Sequence, residues 1–252
     1  MKPLVWAILI LPAFLSTAAL RAQSPAARTV PQSFDVASVK PNQTGGESRR
    51  AGASPGGVFA ASNASLKLLI ARAYGVLEAQ IEGGPSWIGI DTWDIAAKAD
   101  TPLEMTRQEL RPCLQALLAD RFQLRIHRQT KQGAVFSLVV AKGAPKLKEH
   151  LGAGASGIGA SSGDGKVSIT ATKTTMSRLA EYLGGQAGRP VVDNTGLQGE
   201  YDFTVEWSTN DGNAAGTSVF AALQEQLGLK LEAARGAIEM IVVDRAEKAS
   251  AN

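Results

Sequence analysis

The stretch "MSRLAEYLGGQAGRPVVDNTGLQGEYDF" (176–203) decides how this chain is organised, because an earlier stretch orders the same parts. Met176, Leu179, Ala180 and Leu183 recur at helical spacing, Pro190 stiffens an extended segment, and Tyr201-Asp202-Phe203 opens a strand. In "LKLLIARAYGVLEAQIEGGPSWIGIDTWDI" (66–95) the helical spacing belongs to Leu66, Leu69, Ile70 and Ala73. Pro85 stands in its extended segment, and Trp93-Asp94-Ile95 opens its strand. After each stretch come a second helix, then "FQLRIHR" (122–128) or "LGLKLEA" (227–233), then a closing apolar strand, "VFSLVVA" (135–141) or "IEMIVVD" (238–244). A shared order at an offset of roughly 105 to 110 residues is what a duplicated supersecondary unit produces.

The expectation is therefore an α+β protein made of two related β-α-β-β-α-β-β units, with helices packed on largely antiparallel sheets. The first unit spans 34–150 and the second 166–252. The Gly/Ser-rich segment 151–165, which contains "GAGASGIGASSGDG" (152–165), reads as a mobile linker, since ordering glycine costs the most backbone entropy. Thr174 or Thr175 caps the third helix and Gly228 stops the fourth. Thr106 with Glu109 forms a capping box for the second helix, and Thr217 or Ser218 caps the fourth. Pro112 either kinks the second helix or places its regular start near Arg111.

Residues 1–22 read as an export signal. Lys2 gives the positive start, "LVWAILILPAFL" (4–15) the short apolar run, and small residues precede a cleavage point after Ala22 or Ala19. A membrane span needs about 20 apolar residues, and this run is broken by Pro12. A polar leader fills 23–33. Removing Lys2 and Arg21 lowers the formal charge from +3 to +1, so basicity gives no reason to expect a nucleic-acid partner. The single cysteine, Cys113, excludes an internal disulfide and reads as a small buried apolar residue beside Leu110, Leu114, Leu117 and Leu118.

The chemistry-bearing residues are sparse. Only His127 and His150 supply imidazoles, and neither lies at a metal-ligand spacing with the other or with Cys113, so no metal is expected. "SSGDGKVS" (161–168) fails the phosphate-loop pattern at Ala160 and Val167 and precedes a strand, so no nucleotide cofactor is expected either. The spacing G-x-S-x-G occurs at Gly52–Gly56 and at Gly159–Gly163, but each is followed by a stretch read as a strand (57–62 and 166–173) and not by the helix that a serine-hydrolase elbow opens, so neither reads as one. Asp202 and Glu206 share one face of "YDFTVEW" (201–207), but four residues of strand separate them by roughly 13 Å. Paired glycosidase carboxylates stand about 5 to 9.5 Å apart. No catalytic residue is assigned.

The unusual connection is "EGGPSWIGIDTWDI" (82–95), with two tryptophans, three glycines and a proline. Its tryptophans either seal the core or line an aromatic groove for a peptide, glycan or hydrophobic ligand. On the groove reading the binding residues are Pro85, Trp87, Trp93 and Asp94, with Pro190, Asp193, Tyr201 and Asp202 as their counterparts.

"FDVASVKPN" (34–42), "AYGVLEAQIEGGPSW" (73–87), "LQALLADRFQLRIHR" (114–128), "PVVDNTGLQGEYDF" (190–203) and "FAALQEQLGLKLE" (220–232) together resemble the soil-associated family of secreted bacterial proteins. The resemblance runs from about Phe34 to the end of the chain. It implies a domain expanded in acidobacterial genomes with no established activity, so it carries no catalytic residues over. Relatives fused to membrane metallopeptidases of the β-lactam-sensor type imply an extracytoplasmic sensing or interaction role. Each half is also similar, in element order, to the short N-terminal domain of secretins and TonB-dependent receptors, which implies contact with other proteins. The sequence thus points to a secreted or periplasmic, non-catalytic binding module with a protein, peptide or glycan partner in the cell envelope. An extracytoplasmic hydrolase and a structural envelope protein are the rival readings.

Overall fold

The computed structural model describes residues 32–45, 50–54, 56–99, 108–208 and 219–249. The export signal, most of the leader, Thr106, and the caps at Thr217 and Ser218 lie outside the described residues. The first half runs β1 (Val36–Pro41), β2 (Arg50–Ser54), β3 (Val58–Ser65), α1 (Leu66–Tyr74), β4 (Ile81–Gly83), β5 (Thr92–Lys98), α2 (Arg111–Arg121) and β6 (Arg125–Val140). The second runs β7 (Lys148–Glu149), β8 (Gly157–Gly163), β9 (Lys166–Thr175), α3 (Met176–Ala187), β10 (Val191–Asp193), β11 (Glu200–Ser208), α4 (Val219–Ala222) and β12 (Leu229–Arg245). A π-helical turn, Leu223–Leu227, prolongs α4. Helices lie beside mostly antiparallel sheets, so the fold is α+β.

Local chemistry explains the helix ends. The Ser65 hydroxyl accepts the Leu68 N–H at 3.2 Å at the start of α1, and Thr175 does the same for Arg178 at 3.3 Å at the start of α3. Gly75, Gly188 and Gly228 close α1, α3 and the π-helical turn in the left-handed conformation. Pro112 sits in the first turn of α2, where its missing N–H costs nothing.

Among the described residues three sheets form, with orders β1-β5-β3-β2, β7-β11-β9-β8 and β10-β6-β12-β4. The first two correspond strand for strand. In each half three strands, not one, precede the first helix, and one long strand, not a hairpin, closes the half. "FQLRIHR" and "VFSLVVA" merge into β6, and "LGLKLEA" and "IEMIVVD" largely into β12. The expected turn regions pass straight through, with Gly133 directly opposite Gly236 in the antiparallel ladder. A Cβ on Gly133 would stand 2.5 Å from Ile238 Cδ1, so glycine there leaves room for the neighbouring side chain.

The expected linker is also corrected. Half of 151–165 is strand β8, paired antiparallel with β9 from Gly157↔Thr172 to Gly163↔Lys166. Asp164 and Gly165, both at positive φ, make the two-residue turn between them. Backbone pairing with β9 supplies the order that side chains of Gly, Ala and Ser do not.

Nor are 34–150 and 166–252 separate units. β6 starts in the first core, with Ile126 just after Leu124, and ends in the second, with Phe136 and Leu138. β12 does the reverse, from Leu229 and Leu231 in the second core to Ile241 and Val243 in the first. The short strands follow suit. β10 of the second half pairs with β6 of the first, and β4 of the first with β12 of the second. Each core is therefore completed by a strand of the other half.

Candidate functional site

The recurring aspartates are structural clamps. Asp94 Oδ1 accepts the backbone N–H of Asn63 at 2.9 Å, and Asp202 Oδ1 accepts that of Lys173 at 2.8 Å. Asn63 and Lys173 are left-handed, at φ +50° and +47°, where β3 and β9 slip register against β5 and β11. A residue with a Cβ in that conformation costs about 1–2 kcal/mol, and the carboxylate's bond to its N–H offsets part of it. The second partner differs between halves. Asn42 Nδ2 donates to both Asp94 oxygens, at 2.9 and 3.0 Å, whereas His150 Nδ1 lies 2.8 Å from Asp202 Oδ2. The bond from Lys173 N–H, and next the one to His150, hold the Asp202 carboxyl below the usual carboxylate range.

A histidine oriented by a carboxylate is half of a hydrolytic triad. Among the described residues no nucleophile supplies the other half, since His150 Nε2 is buried there with no hydrogen-bond partner. His127 pairs with Asp244 at 2.8 Å, both exposed, where β6 begins and β12 ends. Burial pushes the Cys113 thiol up, which keeps it protonated and unreactive. Among the described residues no group of three His, Cys, Asp or Glu side chains is placed to hold a metal ion.

The aromatic segment divides. Trp93 is 2% exposed and stacks edge-on against Phe122 at 5.0 Å and Trp87 at 5.5 Å, so its ring belongs to the core and is not available to a partner. Trp87 is half-buried above it, with Lys248 Nζ 5.9 Å from the ring. Pro85 opens a short 3-10 turn, Ser86–Gly89. Before it, Gly83 is left-handed, and a Cβ there would stand 2.8 Å from the Val243 carbonyl oxygen, so the segment is pressed onto β12. In the second half, Asp193 makes a local turn by accepting from Thr195 N–H and Oγ1, at 3.0 and 2.8 Å. Tyr201 packs against the second core. The eight residues do not form one groove.

Of them, Pro190 alone lines a cleft of about 430 Å³ between α1, the first turn of α2 and α3. α1 begins at residue 66 and α3 at 176, an offset of 110. At that offset Ala71 corresponds to Glu181, Arg72 to Tyr182, Gly75 to Gly185 and Val76 to Gln186, and all eight line the cleft. Arg111, at the start of α2, reaches across it to pair with Glu181 of α3. Arg111 escaped the sequence reading because no motif surrounds it. The paired helix positions, however, are visible once 66–95 and 176–203 are aligned.

A family profile described as a protein of unknown function, DUF3738, matches residues 67–246. The chain belongs to this family. No curated protein and no solved structure matches it. The DUF3738 match runs from α1 through β12, so it takes in α1, α2, α3 and the whole cleft, and omits β1, β2 and β3. No helix among the described residues is long and apolar enough to cross a membrane.

Proposed function

We propose that this DUF3738 protein is an exported, non-catalytic binding module that holds a short polar ligand of the cell envelope in the cleft between α1 and α3. The observation that carries this reading is the cleft itself. Its volume falls in the range of small-ligand sites, and a few polar groups converge on it from both halves. Gly184 and Gly185 keep side chains out of it, and a Cβ on Gly185 would meet nothing within 4 Å. Corresponding positions of α1 and α3 face one another there, which a duplicated unit folded about an approximate two-fold axis accounts for. The matching orders of the first two sheets support the same history. Export rests on Lys2, the apolar run 4–15 and the small residues before Gln23. Mass spectrometry of the native protein is expected to find an N-terminus near Gln23; a chain retaining Met1 would sink that part. The resemblance to the soil-associated secreted family agrees with an envelope partner. The buried, unpartnered His150 Nε2 weighs against a hydrolase.

Gly185→Phe tests the reading, because the ring would fill the cleft from a position with open space and an ordinary helical backbone. Short peptides and glycans are screened against the mature protein for raised melting temperature. Ligands that stabilise the parent protein are expected to leave Gly185→Phe unshifted. Ligands that stabilise both equally bind elsewhere, and the cleft is then not the site.

A further inference from the structure

Arg111 is held in an unusual seat. A Cβ built on Gly75 would lie 2.5 Å from Arg111 Cζ and 2.6 Å from both terminal nitrogens, so the guanidinium lies flat on the glycine backbone. Gly75 is the left-handed residue that ends α1, and the negative end of the helix dipole favours a cation there. Any other residue at 75 would displace the guanidinium as well as strain the turn. Packing therefore fixes the fork while leaving it underused by acceptors. Its side chain is 20% exposed, and among the described residues its Nε is buried without a partner and it pairs with the Glu181 carboxylate, itself 39% exposed. Arg72, in the last turn of α1, adds a second guanidinium to the same cleft.

We infer that Arg111 is the anchor for a ligand carboxylate, the C-terminal end of a short peptide, and that Glu181 occupies this place until the ligand displaces it. The inference rests on the cleft being the binding site and names the chemistry it selects. A guanidinium presents a planar fork that matches a carboxylate with two parallel hydrogen bonds, so a fixed arginine is a specific seat for that group. Glu181 supplies the same group from within the chain. It joins α2 of the first half to α3 of the second, and as an exposed carboxylate it holds the arginine weakly enough to be exchanged. Arg72 compensates the charge when both carboxylates are present. The ligand thus replaces an internal bond with one of the same kind, and selectivity comes from the rest of the cleft.

The test uses isothermal calorimetry on the mature protein with acetyl-trialanine as the free acid, its C-terminal amide, and glucuronate as a carboxylate from a sugar. The free acid is expected to bind, and the amide to bind at least about tenfold more weakly, the loss of one strong polar anchor. Arg111→Ala is expected to remove the difference between acid and amide. Glu181→Gln keeps the fold and removes the competitor, so it is expected to tighten acid binding by up to about fivefold, the scale of an exposed ion pair. Unchanged or weaker binding in Glu181→Gln would overturn the displacement. Acid and amide binding alike, both lost in Gly185→Phe, would overturn the carboxylate seat and leave the cleft as a binding site. Glucuronate binding without the tripeptide would overturn the peptide end as the source. Absence of binding by all three probes overturns the inference, and the broader screen then decides the cleft independently.

Discussion

Trp93→Ala separates a core tryptophan from a ligand-binding one. Trp93 is 2% exposed, and burying an aromatic ring of its size removes about 200–250 Å² from water. At about 25 cal/mol per Å² that is roughly 5–6 kcal/mol, part of which alanine retains. Truncation of a buried tryptophan costs about 3–5 kcal/mol once the cavity is included. The edge-on contacts with Phe122 and Trp87 place Trp93 toward the upper end. Against a domain stability of about 5–15 kcal/mol, this change leaves the protein marginal. Trp87 is only half-buried, so Trp87→Ala is expected to cost about half as much or less. Urea unfolding of both variants, followed by far-ultraviolet circular dichroism, measures this. With a slope of about 2–3 kcal/mol per molar urea, the Trp93→Ala midpoint should fall by roughly 1–2 M. A loss under about 1 kcal/mol, or a larger loss in Trp87→Ala, would refute the assignment of Trp93 to the core and return it to a binding surface.

Three further outcomes follow from the fold. The fragment 34–150 lacks Ile241 and Val243 of its own core and is expected to remain unfolded alone, while co-expression with 151–252 restores a folded complex; an independently cooperative 34–150 would contradict the exchanged strands. Asp202 has a lowered carboxyl pKa, so the stability it adds is full above the unfolded value near 3.9 and is lost as pH falls through the folded value. The melting-temperature gap between the parent and Asp202→Asn should accordingly be constant from pH 7 to about 5 and close below about 4; a gap that persists unchanged to pH 2 would rule this out. Cys113 should not react with Ellman's reagent in the native protein and should react fully in denaturant; prompt native labelling would contradict its burial.

What the sequence made legible were signals held within a single element. Helical spacing at Leu66, Leu69 and Ile70 and at Met176, Leu179 and Leu183 located α1 and α3, and all six residues are buried. Capping chemistry put the start of α3 at Thr174 or Thr175, of which Thr175 is the cap, and the stop of the fourth helix at Gly228. The repeated aspartates drew attention for a sound reason, since each accepts the N–H of a left-handed residue. Yet their role lies in the backbone of the neighbouring strand, at Asn63 and Lys173, 31 and 29 residues away. The local pattern around Asp94 or Asp202 carries no trace of that partner. The cleft is similar, because its lining is local on α1 and α3, whereas Arg111 comes from a third helix that only the tertiary fold brings near.

The long strands show why the halves looked separable. "QTKQGA" (129–134) and "AARGA" (233–237) have the glycine and polar content of turns, and a turn at each would close each half on itself. An isolated two-stranded hairpin there would gain only its own pairing. Running straight on, β6 and β12 form a shared ladder and carry Leu138 into one core and Ile241 and Val243 into the other. Burial of such side chains contributes roughly 1.5–3 kcal/mol each, which exceeds what polar residues lose by staying extended in water. The exposed middle of the ribbon then needs only solvated charges, and it has them in the pairs Arg128–Glu239 and Lys131–Glu82. The same exchange fixes the site. β4 follows α1 and pairs with β12, β10 follows α3 and pairs with β6, and the central sheet thereby sets α1 and α3 on either side of one cleft. A change that loosened the ribbon, such as a proline at Ala134 or Ala237, would act on both helices at once and should weaken ligand binding without touching a cleft residue.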